Sequence, residues 1–191
     1  MAAGLSAVLD KRTAGLALAA LAIGLLLYSS MSRGWWTLTI KSEYESVTIK
    51  MGMTSSHVCI DNQCRVLPHK KIAVLLGQTD SQRLWLMAGA AAAWGAWVTA
   101  GFLFFTAFFA LRRKPLPGVL IAQVTAVLSA LLVLWAGLYV LLFPSEVAAS
   151  VSMGHSPVTY FVGAVSGIAG SVLLAVGGEQ SSTPSLDEVF D

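Results

Sequence analysis

Four runs of this chain, residues 14–32, 84–111, 118–143 and 158–177, contain no Asp, Glu, Lys, Arg or His. Crossing the hydrocarbon of a bilayer takes about 20 predominantly apolar residues in a helix, and each run is long enough. Composition agrees. Charged residues make up 12% of the 191 and hydrophobic ones 56%, whereas a soluble domain carries about 25% charged residues. A chain this poor in charge cannot clothe a water-facing surface. Soluble enzymes, disordered chains and nucleic-acid binders with a basic face are excluded. The net charge of +2 implies no electrostatic partner. The expectation is an integral membrane protein with four helices.

Lys11 and Arg12 precede the first run, as in a secretory signal. No small-x-small cleavage site follows it, and the run exceeds a typical signal core. It reads as a retained first helix. The expected division is therefore an N-terminus at 1–13, helices at 14–32, 83–111 (headed by Arg83), 118–143 and 158–177, loops at 33–82 and 144–157, a turn at 112–117, and a disordered tail at 178–191. The turn contains Arg112, Arg113 and Lys114 in succession. Dense positive charge in a short connection marks the cytoplasmic side, which places both termini there in a plasma or inner membrane. Six basic residues in loop 33–82, with Arg83 just after it, oppose this by count, but they are diluted along a folded segment.

That loop carries its own fold. Trp36-Thr37-Leu38-Thr39-Ile40 alternates apolar and β-prone polar residues, as a half-buried strand does. Val47, Ile49, Met51 and Met53 continue the alternation. In His57–Val66, Asp61-Asn62 suits a two-residue hairpin turn, since both residues tolerate positive φ. Ile60 then faces Gln63, and Cys59 faces Cys64 in a close, non-hydrogen-bonded pair that a disulfide can span. Two unpaired thiols are the alternative. A disulfide places the loop in an oxidising compartment. The apolar stretch Ile72–Leu76 reads as a further strand or a short interfacial helix. The fold class expected is an all-α membrane four-helix bundle with a small disulfide-pinned antiparallel β-sheet in the first extracytoplasmic loop.

This layout resembles the claudin-like tetraspan superfamily, which includes tight-junction claudins, calcium-channel γ subunits and peripheral myelin protein relatives. The likeness lies in four helices, cytoplasmic termini, a long first outer loop with strands and one disulfide, and a short basic inner turn. Trp35 or Trp36 corresponds to the first Trp of the loop signature, Gly52-Met53 to its Gly-Leu-Trp, and Cys59 and Cys64 to its cysteines. Ser81-Gln82-Arg83-Leu84 resembles the start of the family's second helix. The second Trp has no counterpart here, and the cysteines stand closer together. Fold similarity alone does not hand over function; a small, disulfide-pinned outer domain serves chiefly as a surface, so the expectation is a non-enzymatic protein that acts in assembly, adhesion or as an auxiliary subunit, with lipid and another membrane protein or copies of itself as partners.

Other chemistry finds less support among the residues. Cys59 and Cys64 as a membrane thiol-redox pair lack the Cys-x-x-Cys spacing and the second pair that electron relay uses. His57, His69 and His155 all fall in the loops, but none stands four residues from another as zinc ligands on a helix would; charging near pKa 6.5 makes them alternative acid sensors. A transporter or channel subunit needs polar groups inside the bundle, and Gln123, Thr125 and Ser129 are the candidates, although a Gln in mid-membrane equally suits a hydrogen bond to a neighbouring helix. Gly163, Gly167 and Ser171 form a stripe of small residues where another helix can approach, either within the bundle or from a partner protein. Phe102, Phe104, Phe105, Phe108 and Phe109 read as lipid-facing. Trp35, Trp36 and Met53 are candidate apolar anchors for a partner. No nucleophile–base set, phosphate loop or metal spacing is present, so no cofactor and no nucleic-acid partner are expected.

Overall fold

The computed structural model describes residues 2–41, 46–60, 63–68, 71, 80–112, 115–143 and 151–180. In chain order the elements are α1 (Ala2–Met31), β1 (Trp36–Lys41), β2 (Ser46–Met51), β3 (Ser55–Ile60), β4 (Gln63–Pro68), α2 (Asp80–Leu111), α3 (Pro115–Leu141), β5 (Val151–Met153) and α4 (Ser156–Gln180). Each helix holds a span long and apolar enough to cross a membrane: Lys11–Met31, Asp80–Leu111, Gly118–Leu141 and Ser156–Gly177. Among the described residues the chain is a membrane protein with four long helices and one small antiparallel sheet. Residues 1, 42–45, 61–62, 69–70, 72–79, 113–114, 144–150 and 181–191 lie outside the described residues. Among them are the expected Asp61-Asn62 turn, His69, the Ile72–Leu76 stretch, Arg113 and Lys114, and the polar tail.

The chain divides into two compact units. A helical unit comprises Met1–Gly24, Val98–Leu131 and Val162–Asp191; a sheet-bearing unit comprises Leu25–Trp97 and Leu132–Phe161. In the helical unit most buried positions are small, among them Gly15, Ala19, Ala22, Ala100, Ala122, Thr125, Ser129, Ala164 and Ser171, with Leu103 and Leu174 as the large exceptions. Phe104, Phe105, Val127, Leu131, Val165 and Val172 point outward. This inverts the soluble pattern for a physical reason. Lipid tails are as apolar as Leu, so helices gain little by hiding large side chains and associate where small ones let backbones approach. A Cβ on Gly170 would lie 3.0 Å from the backbone nitrogen of Ala19, and one on Gly15 would lie 3.2 Å from the Gly170 carbonyl oxygen. Thr106 and Thr125 share a hydrogen bond of 3.0 Å between α2 and α3. The Arg12 guanidinium donates to the Ala110 carbonyl, which holds the start of the apolar span of α1 beside the end of α2.

In the sheet-bearing unit the strand order is β4-β3-β2-β1-β5. The registers place Trp36, Met51, Ser56 and Leu67 in one row and Leu38, Ile49, Val58 and Arg65 in the next on the same face. Burial along these rows fades from β1 to β4: Trp36, Leu38, Met51 and Ser56 are buried, whereas most of β4 is exposed. Two expectations are corrected here. The sheet is not confined to loop 33–82, because Val151, Ser152 and Met153 pair with Leu38, Thr37 and Trp36. Nor does β2 run on to Met53. It stops at Met51, and the chain turns at once, with Gly52 N–H donating to the Ser55 carbonyl at 2.9 Å.

Candidate functional site

The part of the molecule most elaborated beyond a plain bundle is the sheet and the aromatic core beneath it. Trp35, at the head of β1, is 0% exposed. Its indole N–H donates to the Ser29 carbonyl at 2.8 Å. Ser29 lies in the last turn of α1, where carbonyls lack intrahelical donors, so the side chain caps the helix that precedes it. The same ring makes edge contacts with Tyr139 and Tyr160, with centroids 5.4 and 5.5 Å apart. Tyr139 stacks on Trp85 at 5.2 Å and donates its hydroxyl to the Gly52 carbonyl at 2.7 Å. Tyr160 donates to the Ala92 carbonyl at 2.7 Å. Trp36 packs on Phe143 at 4.2 Å. Buried aromatic pairs in such geometries contribute about 0.5–1.5 kcal/mol beyond their area, and here they tie strand β1 to three helices.

Glycine allows the close approaches. A Cβ at Gly52 would lie 2.8 Å from the Ser32 carbonyl oxygen, and one at Gly89 would lie 2.7 Å from the Tyr139 ring and 2.9 Å from the Met53 carbonyl oxygen. The chain from α1 into β1 is fixed to the start of α4 as well. Ser32 and Ser156 hydroxyls share a 2.7 Å bond, and Tyr28 Oη shares one of 2.9 Å with His155 Nε2.

This arrangement corrects the roles expected of several residues. Trp35, Trp36 and Met53 are 0%, 6% and 1% exposed. They anchor the sheet to its own helices and leave no surface for a partner. Gly163, Gly167 and Ser171 are buried too, and a Cβ on Gly167 would meet Ser129 Oγ at 2.8 Å and Leu103 Cδ1 at 3.6 Å. The stripe packs within the chain and is not a face offered to another helix. Gln123 is exposed, while Thr125 and Ser129 are buried. The three do not share a face, so Gln123 does not line an interior path. A helical side chain tilts toward the N-terminus of its helix. Gln123 therefore leans toward the Pro115 end of α3, one or two turns from the end of the apolar span.

Of the loop histidines, His57 accepts from the Arg33 guanidinium and His155 holds Tyr28. Among the described residues no three His, Cys, Asp or Glu side chains gather as a metal site would require. Cys59 and Cys64 are joined as a disulfide, with Cα atoms 4.0 Å apart, in the register expected from the hairpin. It lies on the exposed β3–β4 hairpin.

Sequence reasoning missed Tyr139, Tyr160, Trp85 and Phe143, which read only as members of apolar runs. The signal was the phenol itself. A Tyr within an apolar span must find a partner for its hydroxyl, and both tyrosines use main-chain carbonyls.

Two outcomes follow locally. Gly167→Ala should be mild, because Ser129 Oγ can rotate away. Gly167→Leu should destabilise the helical unit by about 3 kcal/mol through overpacking, read as a lower melting temperature in detergent. A Leu variant that melts like wild type would place position 167 on the lipid face. Replacing Cys59 and Cys64 together by Val should cost about 2 kcal/mol of loop-closure stabilisation, partly offset by a cross-strand Val pair of about 0.2–1 kcal/mol. Amide exchange should rise in β3 and β4. Reductant should reproduce this loss in wild type and change nothing in the variant.

No model of a known protein family matches the chain, and no curated protein is similar to it.

Proposed function

We propose that this four-pass membrane protein is a non-enzymatic assembly, adhesion or auxiliary subunit of the claudin-like kind, with both termini in the cytoplasm. The observation that carries the reading is the sheet itself. Strands from both loops are knitted into one five-stranded layer, tied at β1 by a buried Trp–Tyr core and pinned at its far hairpin by a disulfide, while β4 stays exposed. A surface held so firmly serves recognition. Trp35, Gly52, Cys59 and Cys64, on which the likeness to that superfamily rests, all serve the sheet or its attachment. The disulfide and the dense basic turn that begins at Arg112 support an outer location for the sheet. The partner is another membrane protein or a second copy, recognised through the exposed β3–β4 hairpin.

The test is affinity purification in mild detergent of wild type and of an Arg65→Glu, Val66→Asp variant. Both positions are exposed, so the melting temperature should be unchanged. Wild type should retain a companion chain or a second copy, and the variant should lose it. A wild-type chain that remains a solitary monomer would sink the reading.

A further inference from the structure

In the sheet-bearing unit three tryptophans face outward where the helices carry no polar neighbour on the surface: Trp94 at 72% exposure, Trp97 at 49% and Trp135 at 39%. They share one level. Gly95 abuts Leu132, a Cβ on the glycine lying 2.6 Å from Leu132 Cδ2. Trp94 and Trp97 flank Gly95 on α2, and Trp135 is one turn from Leu132 on α3. By sequence alone these tryptophans look deeply embedded, because Trp94 and Trp97 fall near the middle of the apolar run 84–111.

The helix lengths indicate otherwise. The apolar span of α2 has 32 residues and that of α4 has 22, or about 48 and 33 Å at 1.5 Å per residue. The Tyr160–Ala92 hydrogen bond aligns the two. On the far side of that bond α2 runs from Ala92 to Leu111 and α4 from Tyr160 to Gly177, similar distances. On the near side α4 has only residues 156–159, one turn, while α2 has residues 80–91, three turns. At the same end α1 finishes in Ser29, Ser30 and Ser32, and α4 begins at His155 and Ser156, polar residues bonded to one another or to backbone. α1 and α4 thus end where α2 still has about 18 Å to run, and of the other helices α3 alone continues past that level, from Leu132 to Leu141.

We propose that the hydrocarbon edge of the bilayer meets this unit near Ala92, with Trp94, Trp97 and Trp135 seated in the lipid headgroup layer. The first three turns of α2, beside the last turns of α3, form a stalk that carries the sheet clear of the lipid. Indole suits that layer, since its apolar body faces the chains and its N–H reaches water and glycerol oxygens. The occupant of this aromatic face is therefore phospholipid rather than a partner helix. The slab left between Ala92 and Leu111 is close to the usual ~30 Å of hydrocarbon. The inference rests only on membrane spanning and holds whatever the sheet binds.

Positions 94, 101 and 108 lie seven residues apart on one face of α2, and Gly101 has open space around a Cβ. Single-cysteine variants Trp94→Cys, Gly101→Cys and Phe108→Cys, made in the full chain whose own cysteines are paired, can be spin-labelled in phosphatidylcholine nanodiscs. Collision rates with oxygen, which partitions into hydrocarbon, and with a water-soluble nickel complex then report depth. Position 101 should be deepest, with 94 and 108 both shallow. Position 94 lying as deep as 101 would centre the bilayer on the tryptophans and overturn the proposal. Low collision with both reagents at 94 would mean that protein covers it, and would overturn the proposal equally.

Discussion

Trp35→Ala should be the most damaging single change outside the helix interior, costing about 3–5 kcal/mol as buried Trp truncations do. Three losses coincide. The ring leaves a cavity between Tyr139 and Tyr160, the Ser29 carbonyl loses its donor, and β1 loses its anchor to α1. At about 2–4 °C per kcal/mol for a chain of this size, the melting temperature in detergent should fall by roughly 10 °C or more. Trp35→Phe separates the terms. It keeps most of the packing and removes only the N–H, so it should cost about 1–2 kcal/mol. If Trp35→Ala melts within a degree or two of wild type, the aromatic core does not hold the sheet.

Gly154→Ala should come next, although it adds one methyl. A Cβ there would lie 2.0 Å from the Gly34 carbonyl oxygen and 2.9 Å from its carbon. Those are backbone atoms that no rotamer change can move. The same short segment donates Gly154 N–H to the Trp35 carbonyl at 3.0 Å and Ser156 N–H to the Gly34 carbonyl at 3.4 Å. Relief requires β5 to move off β1. The expected cost is about 3 kcal/mol, the upper part of the usual overpacking range, with amide protection lost at Val151–Met153 and at Thr37. Gly101→Ala is the control. Nothing lies within 4 Å of its Cβ, and the change should stabilise α2 slightly through helix propensity. Equal melting of the two variants would show that residues 34 and 154 are not in close approach.

The two variants probe the same joint from opposite strands. Trp35 is held by side-chain burial, Gly154 by the lack of a side chain, and both fix where β1 begins relative to α1 and α4. Partner binding through β3 and β4 depends on that joint only indirectly. Loss of binding in Trp35→Ala should track loss of folded protein, whereas Arg65→Glu, Val66→Asp should remove binding from folded protein.

The four helices were legible in the sequence because hydrocarbon imposes one solution: a long uncharged run must satisfy its own backbone, and a helix does so. The β3–β4 hairpin was legible for a local reason. Alternation, a turn pair and two cysteines at matched positions fix the register over a few residues, and Cys59 does face Cys64. What lies far apart in the chain was not legible. Three residues, Val151–Met153, are too few to show a period, and their strand exists only because β1 offers an edge. Trp35, Trp36 and Met53 carried the composition of an exposed anchor or of a core, and pattern alone does not distinguish the two. Tyr139 and Tyr160, over a hundred residues further on, decide it by closing over the Trp35 ring. Gln123 and Ser129 likewise took opposite faces of α3, because only the second meets a glycine on α4. Local pattern determined which elements form; their burial was decided by which small residues allowed distant backbones to touch.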